Sequence, residues 1–192
     1  MANSKRNLHL QIRALCEGAV LVAAAQILSM IKILPDLPNG GSITLAALPV
    51  ALYALRWGCG KGLLCAFAFG VLQLIFDGAY AWGWQSMVLD YLVAFTPLGL
   101  AGLFKRKSWG IFPGIAVGNL LRFAVHFISG VTVYRIYQPT QIPGIGVFDD
   151  AVLYSLVYNA IYVLPSMVLA LAAAGILYVP MRRFLAGSDI RR

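Results

Sequence analysis

Residues 151–181 read AVLYSLVYNAIYVLPSMVLALAAAGILYVPM, an apolar run without a single charged side chain. A helix needs about 20 such residues to cross the hydrocarbon core of a bilayer. Five further stretches, 13–34, 43–57, 61–80, 86–104 and 109–134, are also mostly apolar, each with at least one charged residue. The second is short, and Pro49 inside it predicts a kinked or tilted helix. The breaks between stretches are marked by Pro35, Pro38, Gly40 and Gly41, by Gly58 and Gly60, by Gly83, by Lys105-Arg106-Lys107, and by the Pro- and Gly-containing segment 135–150. The expected architecture is an all-α integral membrane protein, one domain over residues 1–192 with six transmembrane helices.

Composition leaves no room for a soluble alternative. Of 192 residues, 60% are hydrophobic and only 11% charged, against about 25% charged in soluble domains. Mean hydropathy is +0.80. A soluble domain of this size could not bury so much apolar surface. The net charge of +8 does not signal nucleic acid, because the basic residues lie in short clusters between apolar runs. With the N-terminus inside, 12 of the 15 Lys and Arg residues fall on the cytoplasmic side. Lys32 and Arg135 fall outside and Arg122 within a span, which predicts both termini in the cytoplasm. Met1 to His9 is polar and basic, so no signal peptide is expected. Cys16, Cys59 and Cys65 have no metal-ligand spacing and read as small packing residues.

Ionisable groups within spans are costly and point to function. Asp90 lies in span 4, Arg122 and His126 in span 5, and Glu17 near the start of span 1. At 1.5 Å per residue, Asp90 is about 6 Å below the outer face, His126 and Asn159 about 12 Å, and Arg122 about 18 Å. Three helices thus bring an acid, an imidazole, a guanidinium and an amide to one outer layer. Arg122 and His126 are four apart and share a helix face. Tyr134, Trp82 and Trp84 crowd the outer mouth, as interface anchors or as ligand-stacking rings. A second arrangement fits the same residues: a purely structural Asp90–Arg122 ion pair, with His126 and Asn159 as interhelical ties.

Several chemistries are excluded. Gly58-Cys59-Gly60-Lys61 is not a phosphate loop, since Leu55 stands where the first glycine is required. With only His9 and His126 there is no histidine cluster for a metal. Ser129 is three residues from His126 but lacks a glycine-flanked elbow. No cofactor and no enzymatic activity are expected. A binding or transport subunit fits best; an intramembrane enzyme and a structural protein are the competing classes.

Leu89-Asp90-Tyr91-Leu92-Val93-Ala94, continued by Leu98 to Phe104, resembles span 4 of the thiamine-specific S-components of energy-coupling factor (ECF) transporters. The likeness continues through Leu120-Leu121-Arg122, His126 to Gly130, and Tyr154-Ser155-Leu156 with Asn159. It implies a multi-pass subunit of the bacterial cytoplasmic membrane that captures thiamine outside. It also implies a partner, the ECF module of one transmembrane coupling protein and two ATPases. By resemblance the ligand-binding residues are Asp90, Tyr91, Arg122, His126, Tyr134, Tyr154 and Asn159, with Phe69 at a family tryptophan position. Asp90 stands for a glutamate, Arg122 for a lysine and Tyr134 for a tryptophan. The family's loop tryptophan and glutamate align near Gly40 and Thr44, so Trp82 or Trp84 is the expected replacement. The pyrimidine half of the site is better matched than the thiazolium half, and a thiamine precursor or other aminopyrimidine is the alternative ligand. Ala19-x-x-x-Ala23 resembles the small-residue motif for partner docking; its spacing equally suits packing within the chain.

Overall fold

A computed structural model of the protein describes residues 2–33, 37–77, 81, 83–137 and 141–190. The chain is mostly helical: α1 (Ala2–Met30), α2 (Ala47–Trp57), α3 (Cys59–Phe76), α4 (Trp84–Phe104), α5 (Ile111–Tyr137) and α6 (Ala151–Leu185). A short hairpin of two-residue strands, β1 (Gln141–Ile142) and β2 (Gly146–Val147), lies between α5 and α6. Among the described residues five helices are long and apolar enough to cross a membrane; α2 is not one of them. Its 11 residues span about 16 Å, half of a hydrocarbon core.

The expected second span, 43–57, is therefore helical only from Ala47 onward. The physical reason is visible in the packing. All eleven residues of α2 are buried, so it is a central post inside the other helices, and its length is set by protein contacts. Its Leu48, Ala51, Leu52 and Leu55 pack with Ala101, Ile111, Ile115 and Ala170. Ala47 and Val50 pack with Ala66, Phe69 and Phe95 on the opposite side. Residues 37–46 enter the bundle as non-helical chain. Thr44 N donates to Ser166 Oγ at 3.2 Å, about 22 Å along α6 from its start. Irregular backbone at such depth is tolerated where protein or a cavity surrounds it.

One end of the bundle gathers the basic residues. There Arg56, with a fully buried side chain, joins α1 through Glu17 (Nε to Oε2, 2.6 Å) and the turn after α6 through Asp189 (Nη2 to Oδ2, 2.6 Å). Arg13 also pairs with both carboxylates. Glu17, near the start of the first span, is thus tied within the chain.

Helices α3 and α4 touch backbone to backbone at glycines. A Cβ on Gly99 would lie 2.4 Å from the Gly62 carbonyl carbon and the Leu63 nitrogen. Gly99→Ala should therefore force the helices apart and cost about 1–3 kcal/mol, as overpacking does. A lowered melting temperature in detergent checks this; an unchanged one refutes the close approach.

Candidate functional site

At the opposite end, α1, α3, α4, α5, α6 and the segment 37–46 enclose a cavity of about 610 Å³. The expectation of a pocket among spans 4, 5 and 6 covers only part of its wall. Within α4, an α-helical turn Trp84–Met87 gives way to a π-helical stretch, Val88–Val93, and then to a 3-10 stretch, Thr96–Phe104. Asp90 sits on the π-helical stretch, a local widening that often marks functional positions.

Asp90 accepts three hydrogen bonds. Ser86 Oγ and Ser129 Oγ donate to Oδ2 at 2.7 and 2.9 Å, and His126 Nδ1 meets Oδ1 at 3.0 Å. On the far side of the imidazole, Arg122 Nε donates to His126 Nε2 at 3.3 Å. A guanidinium has only donors, so Nε2 is bare and Nδ1 carries the proton toward Asp90. A neutral imidazole thus stands between a cation and an anion. Among the described residues Arg122 makes no carboxylate bridge; its guanidinium lies 4.2 Å over the Phe95 ring. The purely structural Asp90–Arg122 pair does not form, because His126 occupies the space between them.

Helix α6 supplies the aromatic wall. Asn159 Oδ1 accepts from Tyr162 Oη at 2.7 Å, and its Nδ2 donates to Ser155 O at 2.9 Å. Tyr158 Oη donates to Gly40 O and accepts from Asn39 N, both at 2.8 Å, while Asn39 Nδ2 donates to Tyr154 Oη at 3.1 Å. Tyr154 and Tyr158 thereby clasp the 37–46 segment. Tyr134 meets Tyr154 edge-on at 4.7 Å.

Six of the residues expected at the site line the cavity: Asp90, Tyr91, Arg122, His126, Tyr134 and Asn159. Four do not. Tyr154 is buried behind Tyr134 and Tyr158. Phe69 has no exposure and abuts Phe95 edge-on at 5.3 Å, one layer behind the wall. Trp84 is 72% exposed on the outer surface, where it cannot replace a loop tryptophan. Trp82 lies outside the described residues. Ala19 and Ala23 are both exposed on α1.

A family model described as thiamine transporter protein (Thia_YuaJ) matches residues 15–186. The chain belongs to the thiamine transporter protein family. Within that family it is similar to the thiamine transporter ThiT of Bacillus subtilis, 30% identical with 91% of this chain and 95% of that protein covered. ThiT of Lacticaseibacillus paracasei is likewise 30% identical, with 94% of each covered. A solved ThiT structure from Listeria monocytogenes matches the fold with a TM-score of 0.77 at 21% identity, covering 91% of this chain and 98% of that one. The resemblance read from spans 4 to 6 is thus shown, and this thiamine transporter family member is a multi-pass membrane protein.

The family member's cavity also uses residues that sequence reading passed over. Ser29 and Gln73 line it and join α1 to α3 through Gln73 Nε2 to Ser29 Oγ, 2.9 Å. Ser86, Phe95, Tyr158 and Tyr162 line it too, as do Gly40 and Thr44. The arrangement presents two carboxylates, Asp77 and Asp90, the Lys32 ammonium, the Arg122 guanidinium and several rings to a bound molecule, which suits a heteroaromatic ligand with amino and ring-nitrogen groups.

Proposed function

We propose that the chain is the thiamine-binding S-component of an ECF-type importer, a non-enzymatic subunit of one membrane domain. It takes thiamine from outside into the cavity walled by α4, α5 and α6 and hands it inward when an ECF module supplies energy. The positive-inside rule supports a cytoplasmic basic end with both termini there, α2 and residues 43–46 together completing a sixth crossing. The observation that carries the reading is the convergence of Asp90, His126, Arg122 and Asn159 on one cavity in a chain of this family. The carboxylate accepts the pyrimidine amine, the guanidinium donates to ligand acceptors, and Tyr134 offers a ring face. Tyr91, Tyr154 and Phe69 support these groups.

One observation favours a second ligand. Gly40 and Thr44 line the cavity with no ring or carboxylate of their own, which leaves Asp77 as the second carboxylate for a thiazolium cation; the uncharged pyrimidine precursor is the alternative. Titrating detergent-purified protein with thiamine and with that precursor tests both. Saturable binding of either supports the reading, the tighter ligand deciding between them; binding of neither refutes it.

Asp90→Asn should weaken binding at least tenfold, because a buried ligand donor loses an ionised acceptor, worth about 1–3 kcal/mol. The fold should persist. Unchanged affinity with a lowered melting temperature would make Asp90 a structural residue only.

A further inference from the structure

Several hydroxyls on these helices satisfy themselves locally in the usual way. Thr96 Oγ1 donates to Leu92 O at 2.7 Å, Thr132 Oγ1 to Ile128 O at 2.9 Å, and Ser29 Oγ to Gln26 O at 2.7 Å. Ser86 and Ser129 do otherwise. From two different helices both donate to the same atom, Asp90 Oδ2. Ser129 has no exposure and Ser86 only 4%, so water does not share this duty.

A carboxylate has about four lone-pair positions. The serines take the two on Oδ2, and His126 takes one on Oδ1. One position remains, on Oδ1, and the Asp90 side chain keeps 26% exposure on the cavity wall. Both hydroxyls also fix the plane of the carboxyl group, which could otherwise turn about its last bond.

We propose that Ser86 and Ser129 are positioning residues that leave Asp90 a single, directed acceptor, and that this makes the site select a ring amine over an oxo group at the same ring position. The proposal rests on the thiamine reading above and deepens it. On an aminopyrimidine the exocyclic N–H lies beside a ring-nitrogen acceptor. The 4-oxo analogue exchanges the two, placing its N–H on the ring nitrogen and a carbonyl lone pair where the amine was. A carboxylate locked by two hydroxyls cannot follow the displaced N–H, whereas one released on the Oδ2 side can turn to meet it.

The test titrates wild type, Ser86→Ala, Ser129→Ala and Ser86→Thr with thiamine and with its 4-oxo analogue, recording melting temperatures alongside. Each alanine variant should bind thiamine about tenfold more weakly, the scale of one hydrogen bond to a charged group, with affinity for the oxo analogue held or improved. Discrimination should therefore collapse by at least that factor, and Ser86→Thr, which keeps the hydroxyl, should retain it. Equal losses for both ligands, or no loss, would overturn the proposal, as would a Ser86→Thr protein that discriminates no better than Ser86→Ala. Wild type binding neither ligand would instead refute the thiamine reading itself.

Discussion

Tryptophan at Ala19 or Ala23 should abolish uptake and leave thiamine affinity in detergent nearly unchanged. The two residues are one helical turn apart, about 6 Å along the axis, and both are exposed on α1. Alanine does not hold a partner by its own contacts; it lets another helix backbone come close. On the function proposed above, an ECF module supplies the energy for uphill movement, and a bulky ring on this face would keep that module away. Among the described residues of α1 only Ser29 lines the cavity, ten positions beyond Ala19 and six beyond Ala23, or about 15 and 9 Å along the axis. Uptake in cells containing an ECF module, co-purification of that module and a detergent titration together check the prediction. A variant that keeps the module but loses ligand would show that this face of α1 packs within the subunit.

The second large effect is on stability. Arg56 uses its guanidinium fully: Nε and Nη2 reach the two oxygens of Glu17 at 2.6 and 3.1 Å, Nη1 and Nη2 those of Asp189 at 2.8 and 2.6 Å, and Nη1 also Phe184 O at 3.0 Å. The group lies 4.0 Å over the Phe184 ring. Removing one partner of a buried ion pair costs about 3–5 kcal/mol. Glu17 and Asp189 keep 21% and 43% side-chain exposure and can be partly rehydrated, so Arg56→Ala should cost about 3 kcal/mol, the low end of that range. Arg56→Lys should recover little, since one ammonium cannot meet two carboxylates as a fork. Melting in detergent measures both, and an Arg56→Ala protein as stable as wild type would refute the role. Acid should act late on this clasp. Hydrogen bonds from Arg56 hold the Asp189 carboxyl well below the usual carboxylate range. Its contribution is complete above the unfolded value of about 3.9 and is lost only as pH falls toward the depressed folded value.

The polar layer of the site can be read from sequence because ionisable groups inside apolar runs stand out, and helical rise gives their depth. Asp90 and His126, placed in one layer by that arithmetic, meet at 3.0 Å. Arg56 carries no such signal. It reads as a loop charge near a span end, yet its side chain has no exposure, because its partners arrive from 39 and 133 residues away. Ser86, Ser129 and Gln73 are equally silent: small or neutral polar residues occur in any helix, and only the fold shows which of them converge. The Gly-rich stretch 39–41 reads as an outer loop, which does not disclose that the following residues descend to Ser166. Trp84 fails for the opposite reason. Its chemistry suits a ligand ring, but its position at the start of α4 turns it outward.

That descent has a consequence for how the protein is made. The bonds that seat residues 39–44 against α6 join positions 115, 118, 119 and 122 apart. At about 5–20 residues per second, the ribosome needs roughly 6–24 s to bring out the later partner of such a pair. Through that interval Asn39 N, Gly40 O and Thr44 N have no α6 to receive them, and lipid offers them no hydrogen bonds. The segment therefore waits in water at the membrane surface, and insertion of α6 is the event that draws it down. Arg122, His126 and Asp90 can be synthesised and inserted before the vestibule around them exists, so a nascent chain halted before residue 151 carries the specificity groups without a chamber to hold a ligand.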